Sequence, residues 1–75
     1  MIIEAKKASN DEIRTALPNQ LVERYLKPRG VTHGVYLVFQ DRDLGTIEAT
    51  LQRQVEVARA EGFNIAVHII DIRNP

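Results

Sequence analysis

Residues 31–39 constrain this chain more than any other stretch. The run His33-Gly34-Val35-Tyr36-Leu37-Val38-Phe39 is rich in β-branched and aromatic residues and nearly lacks charge. A strand with one face in water alternates apolar and polar side chains. A near-continuous apolar run suits a strand covered on both faces, hence a parallel or central one. Lys27-Pro28-Arg29-Gly30 breaks the chain before it, and a polar turn over residues 40–45 follows.

The flanking segments supply the rest of a layered fold. Residues 1–5 read as a first strand that runs into Glu4-Ala5-Lys6-Lys7. Ser9, Asn10 and Asp11 offer N-cap chemistry, with Glu12 in the first turn behind them. Ile13, Ala16, Leu17, Leu21 and Tyr25 recur at helical spacing, which predicts a helix over residues 11–26. Pro18 lacks an N–H and crowds the preceding turn, so it is predicted to kink or split that helix. Thr46 caps a second predicted helix, whose stripe is Ile47, Leu51, Val55 and Ala58 and whose C′ residue is Gly62. Residues 63–72 read as a third strand. Its Ala66, His68, Ile70 and Ile72 point one way; Ile65, Val67, Ile69 and Asp71 point the other.

This order predicts an α/β fold: a small three-stranded, mainly parallel sheet in β-α-β-α-β order, closed by right-handed crossovers. The pattern is compatible with helices on one face of the sheet or on both. Seventy-five residues make one domain, 1–75, that buries only about 60% of its unfolded surface. With no cysteine, disulfides and thiolate chemistry are excluded. Ten basic residues balance ten acidic ones, so net charge makes no demand for a polyanion. No apolar run approaches the ~20 residues of a membrane span, and Glu4, Lys6 and Lys7 interrupt any signal-peptide core. The expectation is a soluble, cytoplasmic chain with no membrane partner.

Candidate chemistry begins at Glu4 and Lys6. Two residues apart on a strand, they share a face, with Ile3 and Ala5 on the other. Metal-assisted phosphodiester hydrolysis needs carboxylates for the metal and a cation to steady the attacking water. A solvated surface ion pair has the same spacing. Gln20 and Arg24 form a second constellation. If the helical phase runs through Pro18 they fall in the apolar stripe; if Pro18 resets it they face water. His33 and His68 are far apart, have no cysteine with them, and read as structural. Ser9 reads as a cap rather than a nucleophile. Asp41, Arg42 and Asp43 read as a solvated turn, and Asp71 beside Arg73 as a charged terminus. Neither Gly30 nor Gly34 opens a phosphate-binding loop.

Taken in order, Ile2-Ile3-Glu4-Ala5-Lys6-Lys7, the helix carrying Gln20-Leu21-Val22-Glu23-Arg24-Tyr25-Leu26, and the strand His33-Gly34-Val35-Tyr36-Leu37-Val38 resemble the PD-(D/E)xK, or restriction-endonuclease-like, nuclease superfamily. The resemblance is close over the first half of the chain and holds in outline beyond it. It implies a partial restriction-endonuclease-like core with Glu4 as metal ligand. It makes Lys6 the residue assisting the water or the transition state, and Gln20 a supporting residue. Tyr25 matches in position. The implied cofactor is Mg²⁺ or Mn²⁺, and the implied substrate is nucleic acid, DNA before RNA. The family pattern also has an earlier Asp on a strand paired with the Glu-x-Lys strand, and a preceding helix. Residues 1–75 start at the Glu-x-Lys strand. The expectation is therefore the C-terminal half of such a core, inactive as a lone chain: a fragment, a chain completed by a subunit supplying the acidic strand, or a remnant that no longer cuts. The competing expectation is a non-enzymatic α/β interaction module that forms a homodimer or completes a partner's sheet.

Overall fold

In the computed structural model, which describes residues 1–73, three parallel strands form one sheet and lie in it in their chain order. Strand β1 is Ile2–Lys7, β2 is His33–Gln40 and β3 is Asn64–Asp71. Strand β2 is central and pairs in parallel with both neighbours, as its apolar run predicts. The fold is α/β, and its element order is the one the sequence implies.

The first helical segment differs from expectation. Residues 11–15 fold into successive tight turns, with Ile13 N bonded to Asn10 O at 3.0 Å and Ala16 N to Glu12 O at 2.8 Å. Regular winding starts only at Leu17–Leu26. Pro18 sits in the opening turn, where a missing N–H has no intrahelical partner to lose. It begins the helix instead of kinking one. The segment is π-wound, Lys27 N bonding Val22 O, and ends in an α-helical turn, Lys27–Arg29. Its buried residues, Leu17, Leu21, Val22 and Leu26, recur at the wider spacing of such a helix. Ser9 and Asn10 cap no helix. Ser9 Oγ donates to the Asp41 carboxylate, and Asn10 Oδ1 accepts from Glu12 N at 2.8 Å, an Asx turn.

The second helix, Ile47–Ala60, follows its predicted stripe: Ile47, Leu51 and Ala58 are buried and Val55 half-buried. Both helices end in the same way. Val31 N bonds Leu26 O at 3.1 Å and Phe63 N bonds Ala58 O at 2.9 Å, each wrapping around a glycine of positive φ, Gly30 at 65° and Gly62 at 94°.

Strand alternation divides the sheet into two unlike faces. Glu4, Tyr36 and Val67 align across one row, and Lys6, Val38 and Ile69 across the next on the same side. Both crossovers advance in one direction across the sheet, so right-handed connections bring both helices to one face. Tyr36, Val38, Leu17, Leu21, Leu26 and Leu51 pack there at under 2% exposure. Burying a side chain of this size contributes about 1.5–3 kcal/mol. The other face has no layer over it. Val35, Leu37 and Phe39 are only half-buried, and Ile3 and Ile70 are 55% and 44% exposed. The expectation that β2 is covered on both faces is met on one face only. Among the described residues no helix is long and apolar enough to cross a membrane.

Candidate functional site

Strand β1 is charged on the side that faces the helices. Glu4 and Lys6 share that face, as their spacing predicts, and Lys6 Nζ lies 3.8 Å from Glu4 Oε1. Each side chain is only 16% exposed. Ile3 and Ala5 point to the uncovered face instead. A strand with one face buried ordinarily places its apolar set inward, and sliding by one residue would reverse every side chain. Here the register puts a carboxylate and an ammonium under the first helical segment, so the pair is not the solvated one that Glu-x-Lys spacing alone allows.

A second carboxylate joins them. Glu12 Oε1 lies 3.6 Å from Lys6 Nζ, so one ammonium serves Glu4 and Glu12. Gln20 Nε2 donates to Glu12 Oε2 at 2.7 Å. The four side chains Glu4, Lys6, Glu12 and Gln20 form one connected polar cluster at the β1 edge of the sheet. Helical spacing assigns Glu12 only a place in a helix's first turn. The tight turns at residues 11–15 carry it to the cluster, and that path is set by Pro18 and by anchors distant in sequence.

Those anchors are explicit. Ile13 is 4% exposed, and its carbonyl accepts the Tyr36 hydroxyl at 2.9 Å. Arg14 reaches the second helix, with Nη1 donating to Thr50 Oγ1 at 3.2 Å and Nη2 to Thr46 Oγ1 at 3.0 Å. Gln54 Nε2 donates to the Arg14 carbonyl. Glu12 is thus fixed between a buried residue and a clamp on the neighbouring helix. Thr46 stands before the second helix as expected, but its hydroxyl serves Arg14 rather than the helix end. Tyr36 closes the floor of the cluster beside Glu4. Burial, then the Glu4 and Glu12 carboxylates, push its hydroxyl well above the usual phenol range, so it stays a neutral donor.

The other sequence candidates separate. Gln20 turns into the cluster while Arg24 is exposed, so neither of the two expected phases holds for both residues. Tyr25 is half-buried away from the cluster, with the Arg29 guanidinium 5.5 Å from its ring centroid. His33 Nδ1 lies 3.1 Å from Thr32 Oγ1, and His68 is exposed on the uncovered sheet face. Asp43 and Asp71 are drawn together by Arg73, which bonds Asp43 at 2.6 Å and Asp71 at 2.8 Å. These acids form a clasp of their own, separate from the Glu4 cluster.

The cluster's ligand chemistry is oxygen-only: two carboxylates and one carboxamide. That set matches a hard divalent cation, and Mg²⁺ commonly takes one or two carboxylates and completes its shell with water. Among the described residues no three His, Cys, Asp or Glu side chains converge as a metal cage. Glu4 and Glu12 are two carboxylates that share the Lys6 ammonium, one short of such a group. In comparison with known proteins, the chain matches no family model, no curated protein and no solved structure.

Proposed function

We propose that this chain carries the Glu-x-Lys half of a Mg²⁺- or Mn²⁺-dependent PD-(D/E)xK-type nuclease site, directed at nucleic-acid phosphodiesters, DNA before RNA. The observation that carries the reading is the inward register of β1, which holds Glu4 and Lys6 at 16% exposure beneath the first helix. Partly burying an ion pair costs some desolvation energy that apolar residues at the same positions would avoid. A chain with so small a core has reason to avoid that cost unless the charges do something.

In this reading Glu4 is the metal ligand, and Glu12 offers a second oxygen from the turn after β1. A bound divalent ion supplies Lewis-acid polarisation of a phosphoryl oxygen. Lys6 holds the attacking water or the charge that develops on the phosphoryl oxygens. Gln20, donating to Glu12, fixes that carboxylate's orientation. Tyr36 shuts water out from below. The lone chain does not cut: its ammonium is shared between two carboxylates, and its ligand set lacks a third acid. The free edge of β1 is where a strand bearing that acid would pair.

The test is incubation of the purified chain with supercoiled plasmid and Mn²⁺. The expected result is no nicking above a metal-free control. Robust cutting that disappears in Glu4→Ala would sink the claim of inactivity while keeping the site. Cutting that survives both Glu4→Ala and Lys6→Ala would sink the site itself.

A further inference from the structure

The sheet face opposite the helices is apolar and bare. Its central rows read Ile3-Val35-Ala66 and Ala5-Leu37-His68 across the three strands. Two features of the sequence are anomalous for a face that meets water. Strand β2 is apolar on both sides, and β1 sends Ile3 and Ala5 outward while Glu4 and Lys6 go inward. Exposed apolar surface this contiguous marks an interaction site.

We infer that this face is the interface of a symmetric homodimer, in which the uncovered sheets of two copies pack against each other. Size favours a second copy. Two strands of eight residues and one of six give a face up to about 26 Å long and about 14 Å wide. A single helix is about 10 Å across and leaves part of that width bare; the opposite face of this same sheet takes two helical segments to cover it. A second sheet of equal size and twist covers it whole, at the roughly 10 Å spacing of packed sheets. With side-chain relief, each copy contributes on the order of 500–600 Å², and the pair reaches the lower bound of stable specific interfaces. Met1 and Ile72, 79% and 47% exposed, extend the face beyond the strand ends.

Charge does not oppose it. Along the strands the ionisable side chains of this face are Lys7, His33 and His68, and none is acidic. Lys7 sits at one corner, in the last paired row of β1. A two-fold axis lying between the sheets, whether along or across the strands, carries the second Lys7 to a different corner, so the two ammonium groups do not meet. Leu37, at the centre, meets an equally apolar surface. The Glu4 cluster lies on the opposite face of the sheet, so the dimer leaves it free, and the two proposals stand or fall separately.

Sedimentation equilibrium of the full chain over a concentration series tests this. The expected result is reversible association of the 8.5 kDa chain to twice its mass, with a micromolar dissociation constant. Leu37→Asp is expected to weaken the dimer at least a hundredfold. Ile3→Lys, at a site already 55% exposed and therefore tolerated by the fold, is expected to weaken it at least tenfold while the far-UV circular dichroism is retained. Val57→Lys, equally exposed on the second helix, leaves it unchanged. If the chain folds only as concentration rises, that dependence supports the proposal as well. A folded monomer at all concentrations overturns it. So does a dimer indifferent to Ile3→Lys and Leu37→Asp, or one broken equally by Val57→Lys.

Discussion

A double-mutant cycle on Glu4 and Lys6 asks whether the inward pair is a true low-solvent interaction. Two unit charges at the observed 3.8 Å interact by about 4 kcal/mol at an effective dielectric of about 20. Each side chain keeps 16% exposure, and Lys6 divides its charge with a Glu12 that is 56% exposed. Solvent and sharing bring the expected coupling down to about 2 kcal/mol, still above the roughly 0.2–1 kcal/mol of exposed pairs. The assay is urea denaturation of the native chain, Glu4→Gln, Lys6→Met and the double variant, at neutral pH and one protein concentration. Lys6→Met alone is expected to be the costliest single change, because it leaves two carboxylates facing each other without their cation. The double variant is expected to lose less than the two singles together. A coupling below about 0.5 kcal/mol refutes the reasoning, since that is the value of a solvated pair.

Three further outcomes follow from the same packing. Tyr36→Phe leaves the Ile13 carbonyl without its donor at a buried position and is expected to cost about 1–2 kcal/mol, read by the same urea unfolding. Gly34→Ala places a Cβ 3.2 Å from Leu21 Cδ1 and 3.3 Å from Ile65 Cδ1; overpacking between helix and sheet is expected to cost about 1 kcal/mol, with a lowered Tm. The Arg73 side chain, through its hydrogen bonds, holds the Asp71 carboxyl down at about 2, below its ordinary value of 3.8. Because the folded value is the lower one, the stabilisation is present above the ordinary value and fades as pH falls from about 4 towards about 2. Asp71→Asn is expected to flatten that part of the stability-versus-pH curve, and an unchanged acid limb contradicts the assignment.

Much of the architecture was legible because it rests on periodicity. The apolar run of β2 placed it centrally, alternation assigned the faces of β3, and the stripe from Ile47 to Ala58 fixed the second helix. Glu4 and Lys6 share a face for the same reason. Which face they share was not legible, since alternation says that two side chains agree and not which side is covered. The helices lie on one side because β1, β2 and β3 stand in sequential order, and strand order is a tertiary property. Glu12 escaped notice because helical spacing continues through residues 11–16, while the chain there follows turns held by Arg14 and by the Tyr36–Ile13 bond, contacts between residues 23 to 36 positions apart. Gln20 and Arg24 were tied to a single phase by an ordinary helical repeat, and the wider winding after Pro18 separates them. The apolar pattern of β2 foretold two covered faces, and the single chain covers one.

The proposed site for a divalent cation is Glu4, with Glu12 and Gln20 around it. Paramagnetic Mn²⁺ titrated into isotope-labelled chain tests it without requiring catalysis, because it broadens the nuclear resonances nearest to where it binds. Selective broadening is expected at Glu4, Glu12 and Gln20, abolished by Glu4→Gln and leaving the Asp43–Asp71 clasp less affected. Broadening centred on Asp43 and Asp71, or a pattern at the cluster that Glu4→Gln does not change, contradicts it.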